Sequence, residues 1–375
     1  MDPTLNPGST NYSPSGQRDP NLPIAPEILS GQTGPWAPRR RFGLLAILGW
    51  ICALLCIPVM LIIVLLIVVG SFSDWETGDS IQEKHHSLSN RGSQKVAIIS
   101  VTGAIMESDG FIKHQIDRVR KDDAIKGVVL RIDSPGGTVS GSDYIYHHLS
   151  QLRAKKSETE TDFPIVVSMG GIAASGGYYI AMAVGDQEQS IYAEPTTTTG
   201  SIGVIIPHYD ISGLLTEHKI KDDSITSHPR KQMLSMTREM TEEDRRILKA
   251  YVDDAFARFK EVVKSGRPAL EEDQPALDEL ATGEIFSARQ AQKKGLVDEI
   301  GFIEDAIDRV IELASLDKDD VQVVKYVKPV TLFELATMHA QSPRGLGLAS
   351  LLELSTPRAY YLCTSLPLLM TSRRP

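Results

Sequence analysis

Residues Gly127 to Gly137 read GVVLRIDSPGG, and Pro164 to Tyr179 read PIVVSMGGIAASGGYY. Each opens as a short apolar run and closes in small residues and paired glycines. Such runs predict buried strands over Gly127–Ile132 and Pro164–Ser168, each ending in a tight turn. Working outward, Val139–Ala154 and a segment from about Ala174 carry helical patterns, as does Phe111–Lys121. Lys95–Val101, Gln189–Ala193 and Ser201–Ile206 are further strand candidates. Alternating strands and helices predict an α/β fold around a parallel sheet.

Downstream, Thr241-Glu242-Glu243-Asp244 resembles an N-terminal capping box, with Asp at the place usually held by Glu or Gln. It predicts a helix to about Lys264 with one broad apolar stripe: Ile247, Leu248, Tyr251, Val252, Ala255, Phe259, Val262 and Val263. Ser287–Lys294 and Ile303–Leu313 are shorter helices, and Gly295 fits a C-terminal cap.

The 375 residues are 42% hydrophobic and carry a formal net charge of -9. That allows one large domain with appendages, and no basic block points to nucleic acid. Cys52, Cys56 and Cys363 make no disulfide framework. Cys52 and Cys56, in an apolar segment without a neighbouring His, read as small buried residues. Met1–Pro38 is rich in Pro, Gly, Ser, Asn and Gln and reads as disordered. Arg39, Arg40 and Arg41 then precede Phe42–Val69, a charge-free run longer than the roughly 20 residues that cross a bilayer as a helix. A cleaved signal peptide is a poorer match, because its apolar region is shorter and lies nearer the N-terminus. The arginines set the N-terminus in the cytoplasm and the rest of the chain outside. The expected organisation is a tail over 1–41, a transmembrane helix over 42–70, a polar linker over 71–94, the α/β domain over 95–328 and a C-terminal tail over 329–375.

Ligand sites in an open parallel sheet gather at the carboxyl ends of the strands. Gly136 and Gly137 there can turn backbone N–H groups toward an anion, although an ordinary strand-to-helix turn needs the same glycines. Ser175 lies among small residues where a helix begins. A capping role is the plain reading for one such serine; the second glycine turn beside it favours a nucleophile, with Gly176 N–H donating beside Gly137. A serine hydroxyl needs a base. The histidines fall mostly in the linker, on helices or in loops, and the third loop, Tyr192–Gly203, has none. A lysine serves once its proton is removed, by desolvation or by a nearby positive charge. Lys219, Lys221 and Lys231 are the candidates, with Lys231 favoured slightly for having Arg230 beside it.

These motifs resemble the signal peptide peptidase A family, in its short single-unit form: DSPGG at Asp133–Gly137, GGIAASGGYY at Gly170–Tyr179, TGSIGV at Thr199–Val204, KQMLSMTREMTEED at Lys231–Asp244 and TGEIFSARQAQKKGLVDEIG at Thr282–Gly301. Together they span about Val96–Val327. The resemblance implies a Clp protease/crotonase-like fold and a Ser–Lys dyad of Ser175 and Lys231. It also implies an oxyanion hole of Gly176 with Gly136 or Gly137, and no cofactor or metal. Expected partners are cleaved signal peptides, the lipid bilayer and further copies of the chain. Two rivals stand beside this reading. One is a crotonase-like acyl-CoA enzyme, which would need a cytosolic compound outside the cell membrane. The other is an inactive membrane scaffold, against which an intact Ser175 and Lys231 argue.

Leu346–Met370 is apolar but broken by Glu353, Pro357 and Arg358, so it does not read as a second span. It packs on the domain or on a neighbour, or else Leu362–Leu369 (LCTSLPLL) lies in the substrate groove.

Overall fold

The computed structural model describes residues 43, 54–65, 81–106, 110–158, 163–329 and 359–362. The chain divides into two compact units, Met1–Ser73 and Asp74–Pro375. In the first, residues 54–65 form helix α1 and are exposed, Cys56 among them as a free thiol. Among the described residues no helix is long and apolar enough to cross a membrane. The span expected over Phe42–Val69 lies outside the described residues apart from Gly43 and 54–65, and the N-terminal tail expected before it lies wholly outside them.

The second unit is built on a sheet that has nine strands among the described residues. β2 (Gln94–Thr102), β3 (Ile125–Ser134), β5 (Ile165–Ala174), β6 (Ile191–Ala193) and β9 (Glu299–Ile300) run parallel in that spatial order. β10 (Val321–Val327) lies parallel to β2, and β1 (Gln82–Leu88) closes that edge antiparallel to β10. β7 (Thr198–Gly200) pairs parallel with the end of β5 and antiparallel with β8 (Ile285–Ser287). The short β4 (Gly136–Thr138) follows β3 and pairs antiparallel with β11 (Tyr360–Leu362). The α/β fold with a largely parallel sheet is therefore as the sequence predicts.

Strand alternation divides the core between two faces. Val96, Ile98, Val129 and Val166 pack with Ala306, Ile307, Val310 and Ile311 of α10 (Ile303–Leu313). Ala97, Ile99, Val128, Leu130, Ile132 and Val167 point the other way. They meet α2 (Phe111–Lys121), α3 (Val139–Ser157), α4 (Gly176–Ala181) and the end of α6 (Glu242–Gly266). Each buried aliphatic chain contributes about 1.5–3 kcal/mol. The short helices α5 (Ser212–Glu217), α7 (Pro268–Glu272), α8 (Gln274–Leu280) and α9 (Ala288–Lys293) decorate this body. The capping box at α6 is present, with Thr241 accepting from Asp244 N–H and Asp244 accepting in return from Thr241 N–H. Gly295 follows α9 at φ +73, the conformation a C-terminal glycine supplies.

Four details depart from the sequence reading. The polar stretch taken as linker contains β1, whose half-exposed side chains suit a sheet edge. β5 runs through Gly170 and Gly171, because the Asp133 carboxylate accepts Ile172 N–H at 3.1 Å where the ladder with β3 shifts register. Ser201–Ile206 is not a strand: Ser201 turns at φ +53, and the pairing residues precede it in β7. On α6 only Phe259, Val262 and Val263 of the predicted stripe are buried, while Tyr251 is 54% exposed. Ile247, Leu248, Val252 and Ala255 are half-buried. Of the tail segment Leu362–Leu369, only Leu362 is among the described residues.

Leu130 is fully buried at the centre of the sheet. Leu130→Ala should lower unfolding free energy by about 2–5 kcal/mol, read from the denaturant midpoint at unchanged slope. A loss well under 1 kcal/mol would contradict this placement.

Candidate active site

The site is assembled from the carboxyl ends of β3 and β5. β3 ends at Ser134, level with Ala173 of β5. After Pro135 the chain enters β4, with Gly136 at φ +95. Ile105 fixes this turn: its N–H donates to Gly136 O at 2.9 Å, and Thr138 N–H donates to Ile105 O at 2.8 Å. A Cβ on Gly137 would collide with the Ile105 carbonyl, so a side chain there is excluded.

Ser175 joins β5 to α4 at φ 56, ψ -115, a region that costs a non-glycine residue on the order of 1–3 kcal/mol. Two bonds hold it there. Ser175 N–H donates to Gly200 O and Tyr179 N–H donates to Ser175 O, both at 2.8 Å. The threonine loop braces the strand leading in. Thr197 Oγ1 donates to Gly170 O, and Thr199 Oγ1 to Ala173 O, each at 2.6 Å. Below the elbow, Arg131 donates to Ser168 Oγ at 2.8 Å and pairs with Glu194 at 2.5 Å.

The two glycine turns touch. A Cβ on Gly136 would stand 2.6 Å from Gly176 N, and one on Gly176 would stand 3.1 Å from Gly137 N and collide with Ser142 Oγ. The structure thus brings Ser175, Gly136, Gly137 and Gly176 together. With six residues, α4 is too short to add much of a dipole, so the oriented amides themselves are the electrostatic feature. Its ring residues anchor it. Tyr178 OH donates to Leu296 O at 2.9 Å, and burial pushes that phenol up to about 12. Burial and the Asp143 carboxylate, which accepts from Tyr179 OH, push Tyr179 well above the usual phenol range.

Ser175 is 1% exposed, and its Oγ has no hydrogen-bond partner among the described residues. Lys231 is not brought to it. That lysine lies exposed on a 3-10 turn, Pro229–Gln232, in a long segment that is mostly at the surface. Lys219 and Lys221 are exposed as well. Sequence reading missed Ile105, Thr197 and Thr199, which position the turns. A run of four threonines after a strand is their one visible signal. It also missed Tyr361 of β11, which stacks on Tyr179 at 5.0 Å between ring centres.

With this geometry in hand, the relatives can be placed. Peptidase family S49 matches residues 157–317, a range that holds both Ser175 and Lys231. The putative signal peptide peptidase SppA of Enterococcus faecium is 35% identical over 252 residues, 64% of this chain and 69% of that protein. A putative protease of Synechocystis sp. is 37% identical over 244 residues, 65% of this chain and 83% of its own length. Protease 4 of Salmonella typhi is 33% identical over 59% of this chain, but only 35% of that protein is covered, so the chain spans about a third of it.

Gly176→Ala should push apart the amides of Gly176 and Gly137. We expect a stability loss of about 1–3 kcal/mol and a fall in peptide hydrolysis of at least about tenfold. Full activity in the folded variant would exclude Gly176 N–H as a working donor.

Proposed function

The chain belongs to the signal peptide peptidase A family, and from that premise we propose that it is a membrane-anchored serine endopeptidase that degrades residual signal peptides through a Ser175–Lys231 dyad. The observation that carries this reading is the elbow at Ser175. A strained, buried serine with an unpartnered hydroxyl stands beside three glycine backbones from which side chains are excluded. Strain of this kind persists where surrounding structure enforces it, and it gathers at reacting centres.

The reaction is acyl transfer. Neutral Lys231 removes the proton of Ser175 Oγ as that oxygen attacks a peptide carbonyl carbon. N–H groups of Gly176 and of Gly136 or Gly137 hold the oxyanion. The amine product leaves with a proton from Lys231, and water then releases the acyl group. A crotonase-like acyl-CoA reaction would leave the strained serine unexplained.

Lysine becomes a base when a second surface desolvates it. The exposure of Lys231 and the empty hydrogen-bonding position at Ser175 both favour a site completed between copies of the chain. Exposed apolar residues along the same segment, including Tyr209, Leu214, Ile220 and Ile225, and the half-buried stripe in the first half of α6 suit such an assembly. The charge-free run Phe42–Val69 after Arg39–Arg41 supports a single membrane anchor with the N-terminus cytoplasmic and the peptidase domain outside. We read 1–41 as the cytoplasmic tail and 95–328 as the peptidase domain, to which β1 is added.

Ser175→Ala and Lys231→Ala should each lower peptide hydrolysis at least about a thousandfold. Co-assembly of the two inactive variants should restore measurable hydrolysis, since some sites then pair an intact Ser175 with an intact Lys231 from another copy. Failure to complement in a mixed assembly would place the base within the same chain. A fully active Lys231→Ala protein would remove Lys231 altogether.

A further inference from the structure

The elbow at Ser175 is held from two sides. Ahead of it, the threonine hydroxyls brace β5. Behind it lies α4, only six residues long. An isolated helix that short does not hold its own shape. A residue at φ 56 relaxes toward ordinary backbone unless its surroundings prevent it. The packing around α4 must therefore fix it.

Two tyrosines of α4 are gripped, and each shares its acceptor with an arginine. Tyr178 OH donates to Leu296 O at 2.9 Å, and Arg267 donates to the same carbonyl at 3.1 Å. Tyr179 OH donates to Asp143 Oδ1, and Arg258 donates to the same oxygen at 3.1 Å. The Asp143–Arg258 pair is about half exposed, where water screens it. The other grip is buried: Tyr178 is fully covered and Arg267 is 8% exposed. The guanidinium lies close enough to the Tyr178 phenol to oppose the rise that burial causes there.

Arg267, the residue that ends α6, is tied back to the sheet. Its second arm donates to Asp298 Oδ1 at 2.8 Å. Asp298 Oδ2 accepts Ser190 N–H at 2.9 Å and Ile191 N–H at 2.8 Å, where β6 begins. Ser190 O in turn accepts Val167 N–H of β5 at 2.7 Å. These bonds form a closed ring. It runs from β5 through Ser175 and α4 to Tyr178, across Leu296 O to Arg267 and Asp298, and by Ser190 back to β5. Gly266 lets α6 press on the same helix. A Cβ there would stand 2.9 Å from the Cα of Met182, in the 3-10 turn Met182–Val184 that continues α4.

A buried ion pair adds little net stability, because desolvation offsets its attraction. The Arg267 Nε is buried without a partner among the described residues, which adds to the cost. What a planar guanidinium does supply is a fixed angle between two acceptors. Here they are Leu296 O, which holds Tyr178, and the Asp298 carboxylate, which holds β6.

We propose that Arg267, braced by Asp298, is a positioning residue: through Leu296 O and Tyr178 it fixes α4, and so keeps the Ser175 hydroxyl and the Gly176 amide in their reacting directions. The catalytic half of this statement rests on the peptidase reading of Ser175; the fixing of α4 does not.

The test uses the full-length chain carrying Arg267→Gln. In the folded variant, amide hydrogen exchange over Ser175–Val184 should be at least about tenfold faster than in the wild type, with Ile125–Ser134 unchanged. Unchanged exchange at α4 overturns the proposal whether or not Ser175 is catalytic. With a peptide substrate, kcat should fall at least about tenfold while KM stays within about twofold. Arg267→Lys keeps the charge but loses the fork, and should lie between the two. Tyr178→Phe should lower kcat in the wild type and change it less than about twofold in Arg267→Gln, since both break one ring. If Arg267→Gln does not fold, Tyr178→Phe carries the same two readouts with the ion pair intact. Wild-type kcat in a variant whose α4 exchanges fast overturns the positioning role and leaves the peptidase reading standing. Hydrolysis unchanged in Ser175→Ala would instead sink the peptidase reading, and the exchange measurement still decides whether Arg267 fixes α4.

Discussion

The site depends on the direct approach of two backbones at the carboxyl ends of β3 and β5. Gly136, Gly137 and Gly176 meet with no room for a Cβ, and Ile105 locks the first of these turns from outside. That approach fixes where the amides point and forces Ser175 into its left-handed elbow. The parallel sheet supplies the framework: adjacent strands that end side by side present their following turns to one place. The threonine hydroxyls of the β7 loop and the Arg131–Glu194 pair hold β5 rigid enough to sustain the strain.

On the proposed reading, the arrangement is half of a catalytic centre. It provides a positioned hydroxyl and donors for an anion, and it leaves the position of a base to another surface. The segment carrying Lys231 is largely exposed, and the apolar stripe in the first half of α6 is at most half-buried. An amine brought from outside would be desolvated on arrival, which is what a lysine base requires. The tail strand β11 pairs with β4 beside this turn and stacks Tyr361 on Tyr179, which ties the far end of the described chain to the same place.

Much of this was legible in the sequence. Apolar runs of five or six residues ending in paired glycines marked β3 and β5, and Thr241 with Asp244 marked the start of α6. What was hidden has a common cause: it depends on partners distant in the chain. β1 has no apolar alternation because it needs only one neighbour at a sheet edge. β7 is three residues of threonine and glycine that become a strand through pairing with β5 and β8. Tyr361 lies some 180 residues beyond Tyr179, and nothing local announces that their rings stack. Periodicity showed the apolar stripe of α6 but not that its first half would be only half-buried. The spacing between Ser175 and Lys231 carried no distance at all.

The central claim is that this strained serine is the reacting atom, and peptide mapping after treatment with a fluorophosphonate addresses it most directly. The account predicts one adduct on the tryptic peptide containing Ser175, at its Oγ, lost on prior denaturation. An adduct on another residue, such as the neighbouring Ser142, or no adduct on an actively hydrolysing protein, would contradict it.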